Sequence, residues 1–385
     1  MQQTGMNLHL TEGQRAIQDL VRDFAEHEMR PVVMNYDELQ EFPFPIIEKL
    51  GELGFMGMTW PEEFGGAGLS DLDATIVIEE LARVDPSVAL IVASHNSLCT
   101  GHIMLHGSEK QKRKYVPDLA SGTKLGAWGL TEPGSGSDSG GMQSLATAEG
   151  KDWVLTGSKT FITQGSVAST YVLLALTDRE KGKASISAFI LEKGMEGFSV
   201  GKKENKLGMR CSDTATLIFD HVRIPGENLI GNIGEGFKQA LRVLDGGRIG
   251  IAALSVGIAQ GALEASTRYA KERVQFSRPI AEFQAIEWKL ADMATEIIAA
   301  RFLTRHAAWL KMQGQPYTLA AAQAKYFASE AAVRATNEAV QIHGGYGFTK
   351  DYPVEKLYRD VKLMTIGEGT SEIQKIVIAR QLLNS

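Results

Sequence analysis

In the stretch Leu363–Gln374 a lone carboxylate, Glu368, stands between Gly367 and Gly369, just ahead of a run that reads as a helix. A carboxylate set in such a place can act as a general base. The flanking glycines remove side-chain bulk and permit unusual backbone angles, so a second molecule can approach the main chain here. Ser371 followed by Gln374 has the form of a capping box, with Ile373, Ile376, Val377 and Leu383 on one face of the helix it would start. Glu368 would then stand at a helix N-terminus. An acid that only complements the helix dipole fits the same residues, so this segment alone leaves both readings open.

Four further segments have residue types suited to a ligand. Trp128–Asp138 offers backbone donors and hydroxyls in a glycine-spaced loop, suited to a polar ring edge or a phosphate. Gly157–Gly165 puts Phe161 and Thr163 on the same side of a strand. Read singly, each is also an ordinary turn or strand end. Asp245-Gly-Gly-Arg248 lies in a helical stretch, and Gln341–Gly347 is a glycine-lined approach. Arg273 and Gln284 suit phosphate or adenine, or equally surface salt bridges and helix caps. The common nucleotide fingerprints fail. In Gly134–Gly140 the third glycine comes one residue late and no βαβ unit succeeds it. There is no HExxH zinc motif and no CxxC, so neither a metal site nor a disulfide framework is expected from Cys99 and Cys211.

The elements that must position these residues fall into three parts. From Leu10 to about Cys99 apolar residues recur at helix spacing, broken by the glycines and proline of Trp60–Leu69. From about Leu125, short β-prone runs (Trp153–Leu155, Thr170–Thr177, Ile186–Leu191, Ala215–Asp220) alternate with turn residues. No interval between them is long enough for a crossover helix, which argues against a parallel nucleotide-binding sheet. From about Gly236 the pattern is helical again, with Ile286, Leu290, Met293, Ile297, Leu303 and Leu310 forming an apolar stripe typical of a bundle. A net charge of −6 gives no footing for nucleic-acid binding. Met1–Leu10 lacks the pattern of a signal peptide, and no stretch reads as a membrane span, so a cytoplasm-like compartment is expected.

Taken in order, Pro61–Leu69, Leu130–Pro133, Phe161–Thr163, Asp245–Arg248, Arg273–Phe276, Gln341–Gly347, Tyr358–Asp360 and Glu368–Glu372 resemble the acyl-CoA dehydrogenase family, over the whole chain. The resemblance implies an α+β fold: an N-terminal helical domain (1–124), a middle β domain (125–234) and a C-terminal four-helix bundle (235–385). It implies FAD as cofactor, an acyl-CoA substrate, an electron-transferring flavoprotein as electron acceptor and a homotetramer built as a dimer of dimers. No metal, nucleic acid or membrane is implied. The location would be bacterial cytoplasm, or alternatively the mitochondrial matrix.

In such enzymes a carboxylate removes the α proton of the thioester and the β hydrogen leaves as hydride, giving a trans-2-enoyl-CoA. Glu368 matches that base, its pKa raised by a bound acyl chain against the pull of the helix N-terminus. Trp128, Leu130, Thr131 and Ser137 resemble the loop around the flavin pyrimidine, with Phe161, Ile162 and Thr163 beside the ring. Arg273, Phe276, Gln284, Gln341, Ile342, Gly344 and Gly345 resemble the groups that hold the ADP half across a subunit interface. Thr370 and Glu372 would touch the same cofactor, and Ser137, Asp245, Arg248 and Gly369 would line the CoA and acyl path. Some members carry the base near Arg248, where this chain has Gly246-Gly247, and straight-chain members often have Tyr where it has Gly367. The missing ring implies tolerance of a branched or longer acyl group. A catalytically silent flavin or acyl-CoA scaffold, a DNA-associated relative and an acyl-CoA oxidase are the alternatives.

Overall fold

The computed structural model describes residues 9–384, so Met1–Leu8, read for a targeting signal, lie outside the described residues. The chain opens with seven helices: α1 (Glu12–Phe24), α2 (Val33–Leu39), α3 (Phe44–Glu52), α4 (Asp71–Val84), α5 (Pro86–Ser94), α6 (Gly101–His106) and α7 (Glu109–Ala120). Three start at reciprocal capping boxes, Thr11 with Gln14, Ser70 with Asp73 and Ser108 with Gln111, which satisfy first-turn N–H groups that the helix itself leaves unpaired. A π-helical stretch, His95–Thr100, joins α5 to α6.

The middle region is one sheet of β1 (Gly126–Gly129), β2 (Leu145–Glu149), β3 (Asp152–Thr163), β4 (Thr170–Leu176), β5 (Ile186–Glu192), β6 (Phe198–Lys203), β7 (Thr214–Ile224) and β8 (Leu229–Ile230). Its order is β6-β7-β3-β2-β4-β5-β8, with β1 also on β4. Most pairings are antiparallel, as the short connections dictate. Two are parallel, β1 with β4 and β2 with β4. Short connections alone do not reveal them, because the β2–β3 hairpin, not a helix, serves as the long connection between β1 and β4. β4 is buried on both faces and β5 nearly so, which is why both read as continuous apolar runs.

The chain ends in α8 (Gly236–Glu272), a small hairpin of β9 (Val274–Gln275) and β10 (Arg278–Pro279), then α9 (Gln284–Met312), α10 (Thr318–His343), α11 (Val354–Asp360) and α12 (Ser371–Leu383). α8, α9 and α10 pack on one another and α12 on α10, forming the four-helix bundle; α4 lies against α8. α10 presents a buried alanine face (Ala321, Ala324, Ala328, Ala332, Ala335, Ala339), which lets its neighbours approach closely.

Two helical stretches, Pro86–His106 and Gly236–Glu272, are long and apolar enough to cross a membrane, contrary to the expectation from sequence. Their most apolar windows are 78% and 72% buried inside the protein, so the apolar surface is that of core helices. The three regions meet at a buried ion cluster. Lys356 Nζ on α11 lies 2.7 Å from Asp85 Oδ2, at the N-cap of α5, and 2.6 Å from Asp360 Oδ2. Asp360 also accepts from the N–H of Met209, beyond β6.

Candidate active site

Glu368 lies in the link between α11 and α12 with φ +52, and Gly369 follows at φ +94. Gly367 has an ordinary backbone, so the left-handed turn is made by Glu368 and Gly369 and not, as the flanking glycines suggest, by Gly367. A left-handed non-glycine residue costs about 1–2 kcal/mol and persists where surrounding contacts determine it. Here they do: the Gln374 side-chain amide donates to Gly369 O (2.9 Å) and Glu368 O (3.4 Å), and Lys325 Nζ on α10 donates to Gly369 O at 2.7 Å.

The local capping differs from the expected box. Thr370 is the N-cap of α12, its hydroxyl accepting from Ile373 N. Ser371 instead donates to Glu330 Oε1 at 2.6 Å, and Gln374 is committed to the Glu368 and Gly369 carbonyls. The capping-box pattern fits the spacing but misses that Thr370 has the equivalent hydroxyl one residue earlier. α12 buries Ser371 and Gln374, while Ile376, Leu382 and Leu383 are exposed.

Glu368 Oε2 is buried and has no hydrogen-bond partner among the described residues. Burial pushes the carboxyl up from 4.5 to about 7, opposed by the charges of Lys325 and Arg248. The fold itself therefore raises this acid before any acyl chain excludes water, and the main cause is desolvation. α8 passes directly beneath: a Cβ built on Gly247 would lie 2.1 Å from Glu368 Oε2, so any larger residue there would push the carboxylate out of its present position. The same Cβ would lie 3.5 Å from Leu98 of the π-helical stretch, which bounds this corner on its other side. The next residue of α8, Arg248, is buried and ion-paired with Asp245, whose Oδ2 accepts from the Thr318 hydroxyl at 2.7 Å. Arg248 Nε is likewise buried and without a partner among the described residues.

Trp128 lies on β1, with Leu130 and Thr131 following. Trp128 Nε1 donates to His102 Nδ1 at 3.0 Å. Leu130 is buried, its carbonyl accepting from Lys159 Nζ at 3.2 Å, and that lysine is ion-paired with Glu132 at 2.7 Å. Thr131 O accepts from Thr160 N at 2.9 Å, so this loop is tied to the end of β3. There the register slips between Lys159 and Ile162, and Phe161 takes φ +57 and is 65% exposed. Ile162 points into the core, leaving only its main chain for a ligand, and Thr163 is half-buried. Ser137 is exposed in its loop.

Arg273 caps the C-terminal end of α8, and with Ile342, Gly344 and Gly345 it lines an open cavity of about 510 Å³. Gln284, Gln341 and Phe276 are exposed but do not line it. Thr370 and Glu372 belong to the first turn of α12, at the other group. From Arg248 to its end at Glu272, α8 spans about 36 Å. Glu368, Gly369, Asp245 and Arg248 are thus brought together, and the Arg273 cavity sits far along the same helix. Lys325 and Leu98 escaped the sequence reading, and Gln374, read there as a capping-box partner, holds the Glu368 and Gly369 carbonyls instead. Lys325 did leave a trace, as a lone cation on the alanine face of α10.

Sequence models of the acyl-CoA dehydrogenase N-terminal, middle and C-terminal domains match residues 11–123, 127–222 and 234–383. The short-chain specific acyl-CoA dehydrogenase of Clostridium acetobutylicum is 49% identical over 98% of this chain and 100% of its own length. Butyryl-CoA dehydrogenase from Megasphaera elsdenii superposes with a TM-score of 0.96 at 45% identity, covering 98% of this chain and 100% of that one. A chain from the structure described as the electron transferring flavoprotein of Acidaminococcus fermentans superposes with a TM-score of 0.97 at 49% identity, over 99% of this chain and 100% of that one.

Proposed function

This chain belongs to the acyl-CoA dehydrogenase family, and from that premise we propose that it oxidises a short acyl-CoA, straight or branched, to the trans-2-enoyl-CoA with Glu368 as base. The observation that supports this most strongly is the buried, unpartnered Glu368 carboxyl held near pKa 7 against Gly247. A carboxylate tuned to neutral pH takes up a proton with little penalty in either direction.

The residues fit FAD. Phe161 and Thr163 offer a ring face and a hydroxyl at the end of β3, and the Arg273 cavity, open at Gly344 and Gly345, suits a phosphate and an adenosine. When bound, FAD supplies an acceptor for the β hydrogen and its electron pair. Glu368 takes the α proton, and its own N–H is the donor we assign to the thioester oxygen, where charge develops. Arg248 stays ion-paired to Asp245 at the rim of the acyl path and holds a fixed positive charge beside the base. Because the Arg273 cavity lies about 36 Å along α8 from this corner, we read the ADP group there as belonging to a flavin whose ring sits on another copy. The exposed apolar residues Trp288, Ile298 and Phe302 on α9 and Ile376 on α12 suit the interfaces of a homotetramer. Electrons pass to an electron-transferring flavoprotein, and two buried free cysteines suit a reducing cytoplasm.

Gly367 favours room beside the reacting carbons, since a Cβ there meets nothing closer than Leu363 at 3.5 Å. Turnover of butyryl-, isovaleryl-, 2-methylbutyryl- and octanoyl-CoA with an electron-transferring flavoprotein tests the reading. Bleaching of the flavin by a short or branched substrate, with slow reoxidation in air, is expected. Rapid reoxidation by oxygen would indicate an oxidase, no bleaching by any substrate a silent scaffold, and strict preference for butyryl-CoA would remove the role given to Gly367.

A further inference from the structure

We infer that Lys325, on the inner face of α10, is a positioning residue for the base: by gripping the Gly369 carbonyl it holds the left-handed Glu368-Gly369 turn and keeps the carboxylate against Gly247. The inference rests on Glu368 being the base.

Lys325 is 0% exposed, among the largest fully buried side chains, and stands on a face built mostly of alanine. An ammonium buried this deeply is costly unless something specific receives it. What receives it is a single carbonyl, Gly369 O at 2.7 Å, immediately after Glu368. Gly369 O, in the peptide joining Gly369 to Thr370, also accepts from Gln374, whose amide reaches Glu368 O as well, so donors from two helices hold the two successive carbonyls that follow the base. A residue at φ +52 followed by one at φ +94 is not a conformation the chain adopts unaided. Holding both carbonyls fixes the left-handed Glu368-Gly369 backbone and with it the direction of the Glu368 side chain, whose Oε2 has less than a methyl's room above Gly247.

The charge has a second effect. Lys325 is the larger of the two cationic influences on Glu368, the other being Arg248 on α8. Lys325 in turn faces Glu368, Arg248, Glu330 on its own helix and Glu372 on α12. Burial pushes Lys325 itself down to about 8, the charge of Glu368 opposing that fall. The lysine therefore limits how far desolvation can raise the base and keeps it ionisable near neutral pH.

Two substitutions separate these effects. Lys325→Gln keeps a donor for Gly369 O and loses the charge; Lys325→Met loses both. The FAD-loaded full-length enzyme is mixed anaerobically with butyryl-CoA across a pH series and the flavin-reduction rate is followed. In both variants the pH midpoint of reduction moves upward, and near neutral pH the Met variant is slower by about tenfold or more, the Gln variant by less. Reduction at the wild-type rate with an unmoved midpoint overturns the inference, and so does a rate loss with an unmoved midpoint, which assigns Lys325 to packing alone. Should the Met variant not fold, the midpoint of the Gln variant decides. Failure of the underlying reading looks different, because then wild type is not bleached or Glu368→Gln still is.

Discussion

Replacing Glu368 by Gln should stabilise the protein, and by an amount that depends on pH. The folded carboxyl titrates at about 7 where the ordinary value is 4.5. Between those two values the folded protein holds a proton that the unfolded chain has released, so stability falls as pH rises across that window and the full cost stands above about pH 7. At 1.36 kcal/mol per pKa unit the cost is about 3 kcal/mol. Gln has no such titration, and Oε2 has no hydrogen-bond partner among the described residues to lose. Urea unfolding of FAD-loaded wild type and Glu368→Gln, at several pH values from about 4 to about 8, reads the difference directly. The variant's advantage should be small at the acid end, grow through pH 5 to 7 (roughly the window just named) and level off at about 3 kcal/mol. An advantage that does not change with pH would refute the assignment of the raised pKa to burial of this carboxyl.

Three further perturbations probe the same geometry. Gly247→Ala places a Cβ 2.1 Å from Glu368 Oε2, and displacing the base should slow flavin reduction about 100-fold with FAD content unchanged, as stopped-flow bleaching and the visible spectrum would report. Gly367→Tyr meets an ordinary backbone and its Cβ makes only van der Waals contact with Leu363, so it should fold normally while isovaleryl-CoA turnover falls about tenfold relative to butyryl-CoA in a kcat/KM comparison. Lys356→Met leaves Asp85 and Asp360 buried without their shared cation and should cost about 3–5 kcal/mol in denaturant unfolding; a loss under about 1 kcal/mol would show the cluster to be incidental.

The elements most legible in the sequence were those whose pattern is local. The apolar runs of β4 and β5 and the stripe of α9 are set by burial along a single element, and both emerge where the spacing puts them. What escaped depends on partners distant in sequence. The parallel pairing of β1 with β4 comes from the path of the intervening hairpin, and no residue in either strand announces it. The apolar windows of α5–α6 and α8 are core surface only because other helices cover them. At the site, Glu368 and the glycines around it were visible as an acid in an open turn. Its raised pKa, the need for glycine at Gly247 and the grip of Lys325 all arise from α8 and α10 meeting the loop, more than a hundred residues and about forty residues away in the chain respectively. The Thr370 cap was missed because two adjacent hydroxyl residues fit the same motif and only packing against Glu330 separates them.

The central claim, that Glu368 removes the substrate proton, is tested most directly by anaerobic mixing of butyryl-CoA with FAD-loaded Glu368→Gln. Wild type should bleach. The variant should bind the thioester, seen as a shift of the flavin spectrum, and lose nearly all reduction at every pH. Bleaching at a rate close to wild type would contradict the account and place the base elsewhere.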